Sequence, residues 1–195
     1  MPSNRPMPIT PMPVSDLPDG LRQYAEGELG EAWFGILAKA GPLAELFTPY
    51  YGALTSSTNV LGFKLSEMVR LAIATTTGCE ACLSLRDPRA LAEGMDPDVI
   101  TLYDELDRAD FTARERAALR YTLAFSTNHH DVDDNMWSEL KEHFTDQELV
   151  TLCLFVATFL GTSRLAHAIR LVDAHCTIPG YRLAAVIDAK VAGAV

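Results

Sequence analysis

The stretch Lys64–Pro88, KLSEMVRLAIATTTGCEACLSLRDP, decides the fold class and holds the residues of greatest chemical interest. Its first part spaces apolar residues as i, i+3 and i+4, the pattern of a helix with one buried face. Those residues are Leu65, Met68, Val69, Ala72 and Ile73. The same helical period recurs along the chain, and alternating β-branched runs are few. The sequence therefore predicts an all-α helical bundle.

The predicted helices are separated by short connections. Gly41 and Pro42 mark one stop and restart, and Asp96 is the expected N-cap of a later helix. The predicted helices cover residues 30–41, 42–57, 64–78, 79–94, 96–109, 112–128, 132–144, 145–161 and 163–175. Residues 1–19 form a proline-rich N-terminal arm, predicted to lack regular structure and to dock on a neighbouring surface. Residues 20–195 form the helical domain.

Composition and charge narrow the class of protein. A net charge of −10 disfavours nucleic acid as a partner, because phosphate binding needs a basic face. The N-terminus lacks the continuous apolar segment of a secretion signal, and the longest apolar stretch, Leu149–Leu160, is too short to span a bilayer. We therefore expect a cytoplasmic protein that does not bind a membrane.

A faint internal repeat appears when the chain is aligned with itself at an offset of 81 residues. Five identities then fall at matching helix positions, among them Phe63 with Phe144 and Glu67 with Glu148. This register pairs Arg86 with His167. It predicts two related helical halves, in which residues 63–94 and 144–175 superpose as helix pairs.

Two cysteines lie three residues apart after Gly78, which suggests that Cys79 begins a helix. At that spacing Cys79 and Cys82 share a face and can close into a disulfide. The positive end of a helix dipole lowers a thiol pKa, and the cation of Arg86, on the same face, favours the thiolate further. These residue types at this spacing predict a redox dithiol.

The cysteines also admit other interpretations. Both can be small packing residues, or half of a zinc site, which would need two further soft ligands. Cys153 and Cys176 lack the second close pair of such a signature; we expect Cys153 in the core and Cys176 in a structural role. His129 and His130 lie among acids and suggest a metal site, but a solvated loop is the expected interpretation.

The pattern of Glu67, Cys79-x-x-Cys82, Ala90 and Gly94 resembles the carboxymuconolactone decarboxylase superfamily, and within it the alkyl hydroperoxidase AhpD-like proteins. The resemblance implies an all-α, AhpD-like bundle that assembles as homo-oligomers, commonly trimers or hexamers. It also implies that the cysteine pair reduces a peroxide or a disulfide, while a glutamate and a histidine relay protons. Glu67, Cys79 and Cys82 match that motif.

The motif histidine is Arg86 in this chain. Arginine holds its charge permanently and cannot relay a proton near neutral pH, although it can orient Glu67 through a bidentate pair. The relay then runs through Glu67 and water, or His167 replaces the histidine, or the peroxidase activity is weak. Alternatively, Glu67 is structural and pairs with Arg70. We expect a histidine at position 86 to raise turnover.

The predicted function is a thiol-dependent oxidoreductase of the alkyl hydroperoxide reductase or peroxiredoxin type. Cys82 is the attacking sulfur by analogy with the family, although Cys79 has the better dipole argument. No metal, flavin or nucleotide is expected, and an external lipoyl-type or thioredoxin-like donor supplies electrons. The alternatives are a cofactor-free carboxymuconolactone decarboxylase-type enzyme and a non-catalytic helical assembly module. An aromatic group that can line a substrate pocket or an oligomer contact, but more commonly packs a core, comprises Trp33, Phe34, Tyr50 and Tyr51.

Overall fold

The structure, a computed structural model, describes residues 6–56, 58–79, 82–83, 85–107 and 110–171. Within these ranges the regular elements are helices and no strand is present. The α-helices are α1 (Asp19–Arg22), α2 (Gly27–Leu37), α3 (Pro42–Thr55), α4 (Phe63–Thr77), α5 (Pro88–Ala92), α6 (Ala113–Thr127), α7 (Asp134–His143) and α8 (Asp146–Ala168). Short 3-10 helices cover Val14–Asp16, Ala38–Ala40, Val99–Glu105 and His129–Asp131. The prediction of an all-α fold is confirmed.

The chain forms two compact units. One contains the residues up to Thr58 and those from Leu165, and the other is Asn59–Arg164. The core of the first unit joins helices α1 to α3 with the described residues that follow α8. Its largest buried side chains include Leu17, Leu21, Trp33, Phe34 and Ile169.

The N-terminal arm packs within this first unit. The N–H of Met12 donates to the carbonyl of Gly35 in α2 at 2.9 Å. A Cβ at position 35 would lie 2.6 Å from the Met12 carbonyl oxygen, so only glycine permits this approach. The prediction of an arm without regular structure is wrong at Val14–Asp16, a 3-10 helix, and Leu17 is buried in the core.

Helix α4 lies at the centre of the second unit. Every side chain from Leu65 to Ala74 is buried, so the helix is surrounded by protein rather than buried along one stripe. Helix α6 packs beside it, and an ion pair of 2.8 Å between Lys64 and Glu115 joins their first turns. Thr112 and Glu115 form a capping box at the start of α6. These contacts fix the helix that carries Glu67.

The chain after α4 departs from the predicted boundaries. The predicted helix over 79–94 is interrupted at 85–87, and α5 begins at Pro88 with Asp87 as its N-cap, because proline has no N–H to continue the earlier turn. The predicted helix over 96–109 is a 3-10 helix at Val99–Glu105, with Asp98 rather than Asp96 at its N-cap.

The two segments predicted over 145–161 and 163–175 share one helix, α8, of 23 residues. Helix α8 is therefore longer than the apolar stretch Leu149–Leu160, which alone is too short to span a bilayer. By length and composition α8 could cross a membrane. A core helix of a soluble protein meets the same criteria, and α8 buries side chains such as Leu152, Phe155 and Val156. The predicted repeat of helix pairs is wrong in the described residues, because 63–94 is interrupted after Thr77 whereas the matching part of α8 is continuous.

Candidate functional site

Cys79 follows the carboxyl end of α4 and begins only the short helical turn that comes next. Gly78 takes a left-handed conformation with φ of 65°, and the N–H of Cys79 donates back to the Ala74 carbonyl at 3.1 Å. This is the bond pattern by which glycine closes a helix. The carboxyl end of a helix dipole is negative, so it disfavours a thiolate at Cys79. The position of Cys79 directly after α4 therefore weakens the dipole argument for Cys79 as the attacking sulfur.

Cys82 lies in the short helical turn that follows. The N–H of Leu83 donates to the Cys79 carbonyl at 2.9 Å, so Cys79 sits at the start of this turn and Cys82 within it. The thiol of Cys79 donates to the sulfur of Cys82, and the Cys82 N–H donates back to the Cys79 sulfur. The two sulfur atoms are therefore direct neighbours, and both cysteines are free thiols.

The two thiols have opposite electrostatic environments. The hydrogen bond from Cys79 is the main cause that lowers the pKa of Cys82 to about 7; the Arg70 charge and a hydrogen bond with Ser163 also lower it, and burial opposes them. The same hydrogen bond and burial raise the pKa of Cys79 far above its ordinary value. The cysteines thus differ in exposure and in charge: Cys79 is 3% exposed and stays protonated, whereas Cys82 is half-buried and ionises near neutral pH.

The cation of the site is Arg70, one turn after Glu67 on α4. Its Nε and one terminal nitrogen donate to the two carboxylate oxygens of Glu67 at 2.6 and 2.7 Å. The same guanidinium donates to the carbonyls of Cys82 and Leu85 at 2.9 and 3.1 Å. Glu67 and Arg70 are only 4% and 5% exposed, so this is a buried ion pair. The alternative of a Glu67–Arg70 pair is confirmed.

Glu67 also holds the chain beyond the thiols. Its Oε1 accepts the N–H of Asp87 at 3.0 Å, while the Asp87 side chain accepts the N–H of Arg89. Tyr103 lies beside the ion pair and donates its hydroxyl to the Met68 carbonyl at 2.7 Å. Burial, and then the charge of Glu67, raise the pKa of Tyr103 above its ordinary range. The carboxylate thus links α4 to the start of α5.

Arg86 does not reach Glu67. Its guanidinium donates to the carbonyls of Leu83 and Leu85 at 2.6 and 2.7 Å and to the carbonyl of Pro97 at 2.6 Å. The expectation that Arg86 pairs with Glu67 is wrong, because Arg70, one turn away on the same helix, binds both carboxylate oxygens. Arg86 instead binds the carbonyl ends of the turn that follows Cys82.

Ser163 is the group that sequence reasoning missed. It lies on α8, is 7% exposed, and forms a side-chain hydrogen bond with the sulfur of Cys82. No local motif marks it. At the repeat offset of 81 residues position 82 aligns with position 163, but that alignment carries no chemical argument. Arg70, by contrast, could be recognised in the sequence as a partner of Glu67. Its contact with Cys82 could not be recognised there.

The remaining candidates lie elsewhere. His129 and His130 are exposed in a 3-10 turn, and no described group of three or more His, Cys, Asp or Glu side chains could hold a metal ion. His167 is exposed on the last turn of α8. Cys153 is half-buried and accepts the Tyr121 hydroxyl at 3.3 Å, so its expected core position is wrong. Cys176 lies outside the described residues.

The aromatic group divides between core and surface. Trp33 and Phe34 are buried in the core of the first unit, which matches the expectation of core packing. Tyr50 is exposed and Tyr51 half-buried, both packed against Phe47 with ring centroids 6.4 and 5.7 Å away. This group lies in the first unit and the dithiol in the second.

Solved structures define the fold class. A peroxidase-related protein from Silicibacter sp. TM1040 superposes with a TM-score of 0.65 at 20% identity, covering 93% of this chain and 97% of the other. An alkylhydroperoxidase AhpD core protein, described as peroxidase-related, from Ralstonia eutropha JMP134 superposes at 0.64 and 22% identity, covering 92% and 93%. The chain therefore has the AhpD-like all-α fold.

Part of the sequence matches a family model. Residues 41–124, which include Glu67 and both cysteines, match the model of the carboxymuconolactone decarboxylase family. Two uncharacterized proteins of Mycobacterium tuberculosis, from strains CDC 1551 and H37Rv, are 39% identical over 93 residues, 45% of this chain. The match covers only 31% of the length of each of these relatives. The family match and the fold together support the resemblance to the carboxymuconolactone decarboxylase and AhpD-like superfamily that the sequence shows.

Proposed function

We propose that this protein is a thiol-dependent oxidoreductase that uses Cys82 as nucleophile and Cys79 as resolving thiol. The observation that carries the proposal is the hydrogen bond from the Cys79 thiol to the Cys82 sulfur, in a site that lowers the pKa of Cys82 to about 7. At neutral pH about half of Cys82 is then thiolate, whereas an unperturbed cysteine is about 3% ionised. A reactive thiolate touching a protonated thiol is the arrangement that disulfide formation requires.

With a peroxide as oxidant, the Cys82 thiolate attacks one oxygen and the O–O bond breaks. The leaving alkoxide takes a proton from solvent, which gives an alcohol and a sulfenic acid on Cys82. The Cys79 sulfur then attacks the Cys82 sulfur, and the Cys79 proton leaves with the hydroxyl group as water. An external dithiol of the lipoyl or thioredoxin type returns the pair to the reduced form by two thiol–disulfide exchanges.

A substrate disulfide is reduced by the same pair. The Cys82 thiolate attacks one substrate sulfur, and the other sulfur leaves as a thiolate, so a mixed disulfide forms. Cys79 then attacks the Cys82 sulfur, loses its proton to the departing thiolate and completes the intramolecular disulfide. No metal, flavin or nucleotide takes part in either sequence of steps.

The proposal includes an assembly and a compartment. Helix α8 exposes Val150 and Leu154, at 59% and 47%, on a face that a second copy of the chain could cover. A homo-oligomer, a trimer or hexamer as the family resemblance implies, is therefore part of the proposal. We also propose a cytoplasmic location, because a reducing compartment returns the dithiol to its active form.

A second candidate is a cofactor-free acid–base enzyme of the carboxymuconolactone decarboxylase type. It is favoured by the family match over 41–124. That chemistry needs no reactive thiol. Turnover of such a substrate after both cysteines are alkylated would favour this candidate over the dithiol mechanism.

Peroxide consumption with dihydrolipoate as electron donor tests the proposal. We expect Cys82→Ser to abolish consumption, and Cys79→Ser to allow one turnover that ends at a sulfenic acid detectable with a dimedone probe. Cys153→Ser is the matched control, since Cys153 is a free thiol that contacts Tyr121 instead of the pair, and it should retain activity. Undiminished steady-state turnover by Cys82→Ser would refute the mechanism.

A further inference from the structure

The anionic groups of Glu67 and Cys82 share one buried cation. The Arg70 guanidinium is bidentate on the Glu67 carboxylate, and it also donates to the Cys82 carbonyl and hydrogen-bonds the Cys82 side chain. With the thiolate formed, the three side chains carry two negative charges and one positive charge. Because Glu67 and Arg70 are buried and Cys82 is half-buried, solvent screens these charges weakly, and the two anions compete for the same guanidinium.

The geometry of Glu67 is poor for a proton acceptor. Both of its oxygens accept hydrogen bonds, Oε2 from Arg70 and Oε1 from Arg70 and the Asp87 N–H. A carboxylate held in this way favours its charged form and has few lone pairs left for a substrate or a thiol proton. The hydrogen bonds that the structure gives to the Cys82 sulfur come from Cys79, Ser163 and Arg70.

We propose that Glu67 acts through Arg70: it is a positioning residue and a counter-charge that limits how strongly Arg70 stabilises the Cys82 thiolate, rather than a proton relay. Arg70 carries two functions in this arrangement. Its charge favours ionisation of Cys82, and its bonds to the carbonyls of Cys82 and Leu85 hold the turn that presents the sulfur. Glu67 fixes the guanidinium for both functions.

The charged and titratable groups around Cys82 determine whether each substitution raises or lowers the pKa of its thiol. Cys79 and Arg70 face Cys82, together with the uncharged Ser163 from α8. Tyr103 faces the ion pair from the 3-10 helix, and Arg86 lies farther along on the carbonyls of Leu83 and Leu85. Removing the Glu67 charge leaves Arg70 with one anion, so Arg70 stabilises the Cys82 thiolate more strongly. Removing the Arg70 charge leaves the thiolate with the hydrogen bonds of Cys79 and Ser163 alone.

The test is the pH dependence of Cys82 alkylation by iodoacetamide, followed site by site with mass spectrometry. We expect Glu67→Gln to lower the pKa of Cys82 by about half a unit or more, and Arg70→Gln to raise it by about one unit or more. Glu115→Gln is the matched control, since it removes a second ion pair of α4, with Lys64, away from the thiols, and it should leave the pKa unchanged.

A proton relay predicts a different result for Glu67→Gln, namely lost turnover with an unchanged Cys82 pKa. That result, or a raised pKa, overturns the proposal. If the single variants do not fold, because each leaves a buried charge unpaired, the double variant Glu67→Gln/Arg70→Gln removes both charges. It should raise the Cys82 pKa, and an unchanged pKa in a folded double variant overturns the proposal as well.

This inference rests on the proposed function only in taking Cys82 as the reacting sulfur, and the two can fail separately. Alkylation needs no peroxide. A wild-type protein without peroxide turnover, whose variants nevertheless shift the Cys82 pKa as expected, refutes the proposed function and supports the inference. A protein that turns over peroxide through Cys82, but whose Cys82 pKa is unchanged by Glu67→Gln, supports the proposed function and refutes the inference.

Discussion

The N–H of Cys79 donates to the carbonyl of Ala74 at 3.1 Å, across the left-handed Gly78. This bond makes the first cysteine the residue that closes α4 and, at the same time, the residue from which the next helical turn starts. Its sulfur therefore lies at the negative end of a fifteen-residue helix and donates its proton to its partner. This backbone bond fixes where Cys79 lies, and the hydrogen bond between the sulfurs, burial, Arg70 and Ser163 then make the two thiols unequal.

The two cysteines should differ in reactivity. At pH 7 iodoacetamide should label Cys82 at least about tenfold faster than Cys79, because only the Cys82 thiol is substantially ionised there. Mass spectrometry of the folded protein under reducing conditions gives the two rates. If Cys79 is labelled first, or at an equal rate, the Cys79 thiol is not the hydrogen-bond donor to the Cys82 sulfur.

Ser163 should lower the pKa of Cys82 through its hydroxyl. Ser163→Ala removes that hydrogen bond and should raise the pKa by about half a unit, with slower alkylation at pH 7. Ser126→Ala is the control, since Ser126 is also buried and its hydroxyl oxygen has no hydrogen-bond partner among the described residues. Equal effects of the two substitutions would mean that the shift arises from packing rather than from the hydrogen bond.

A histidine at position 86 should weaken the fold instead of restoring a relay. Arg86 binds the carbonyls of Leu83, Leu85 and Pro97, and Arg86→His loses most of these bonds, at a cost of about 1–3 kcal/mol in the free energy of unfolding. We therefore expect no gain in peroxide turnover, which reverses the expectation from the sequence motif. Urea denaturation and a turnover assay check both parts. Higher turnover at unchanged stability would restore the relay interpretation.

The stability of the reduced protein should depend on pH through Cys82. Its pKa of about 7 in the folded protein is below the value of an unfolded thiol, so between these values the unfolded chain binds more protons. This contribution is present above the unfolded pKa and is lost as pH falls through about 7. The free energy of unfolding of wild type relative to Cys82→Ser should thus rise from pH 6.5 toward about 8.5. A constant difference across that range would contradict a lowered pKa.

Gly35 should resist any side chain. Gly35→Ala places its Cβ against the Met12 carbonyl and the Pro11 side chain, and should cost about 1–3 kcal/mol of stability. Gly20→Ala provides the comparison, since a Cβ there meets no atom within 4 Å and should be neutral or slightly stabilising. Thermal unfolding of both variants measures the difference. An unaffected Gly35→Ala would mean that the arm does not dock on α2.

Much of the fold could be predicted from local pattern. The periodic apolar residues of α4 and the Gly41–Pro42 step before α3 are short-range features, and the structure has helices at these places. Helix ends were harder, because Gly78 serves equally well before a helix or after one. The structure gives Gly78 a positive φ at the end of α4, and the residue type alone does not show on which side of a helix the glycine lies.

The sequence by itself determined that two thiols lie one helical turn apart, close to a glutamate whose arginine partner follows three residues later on the same helix. Only the tertiary structure decided which sulfur ionises. That outcome depends on a hydrogen bond between the sulfurs, on the reach of Arg70 across twelve residues to the Cys82 carbonyl, and on Ser163 from another helix. Electrostatic stabilisation acts through distances in space, and a spacing along the chain does not specify them.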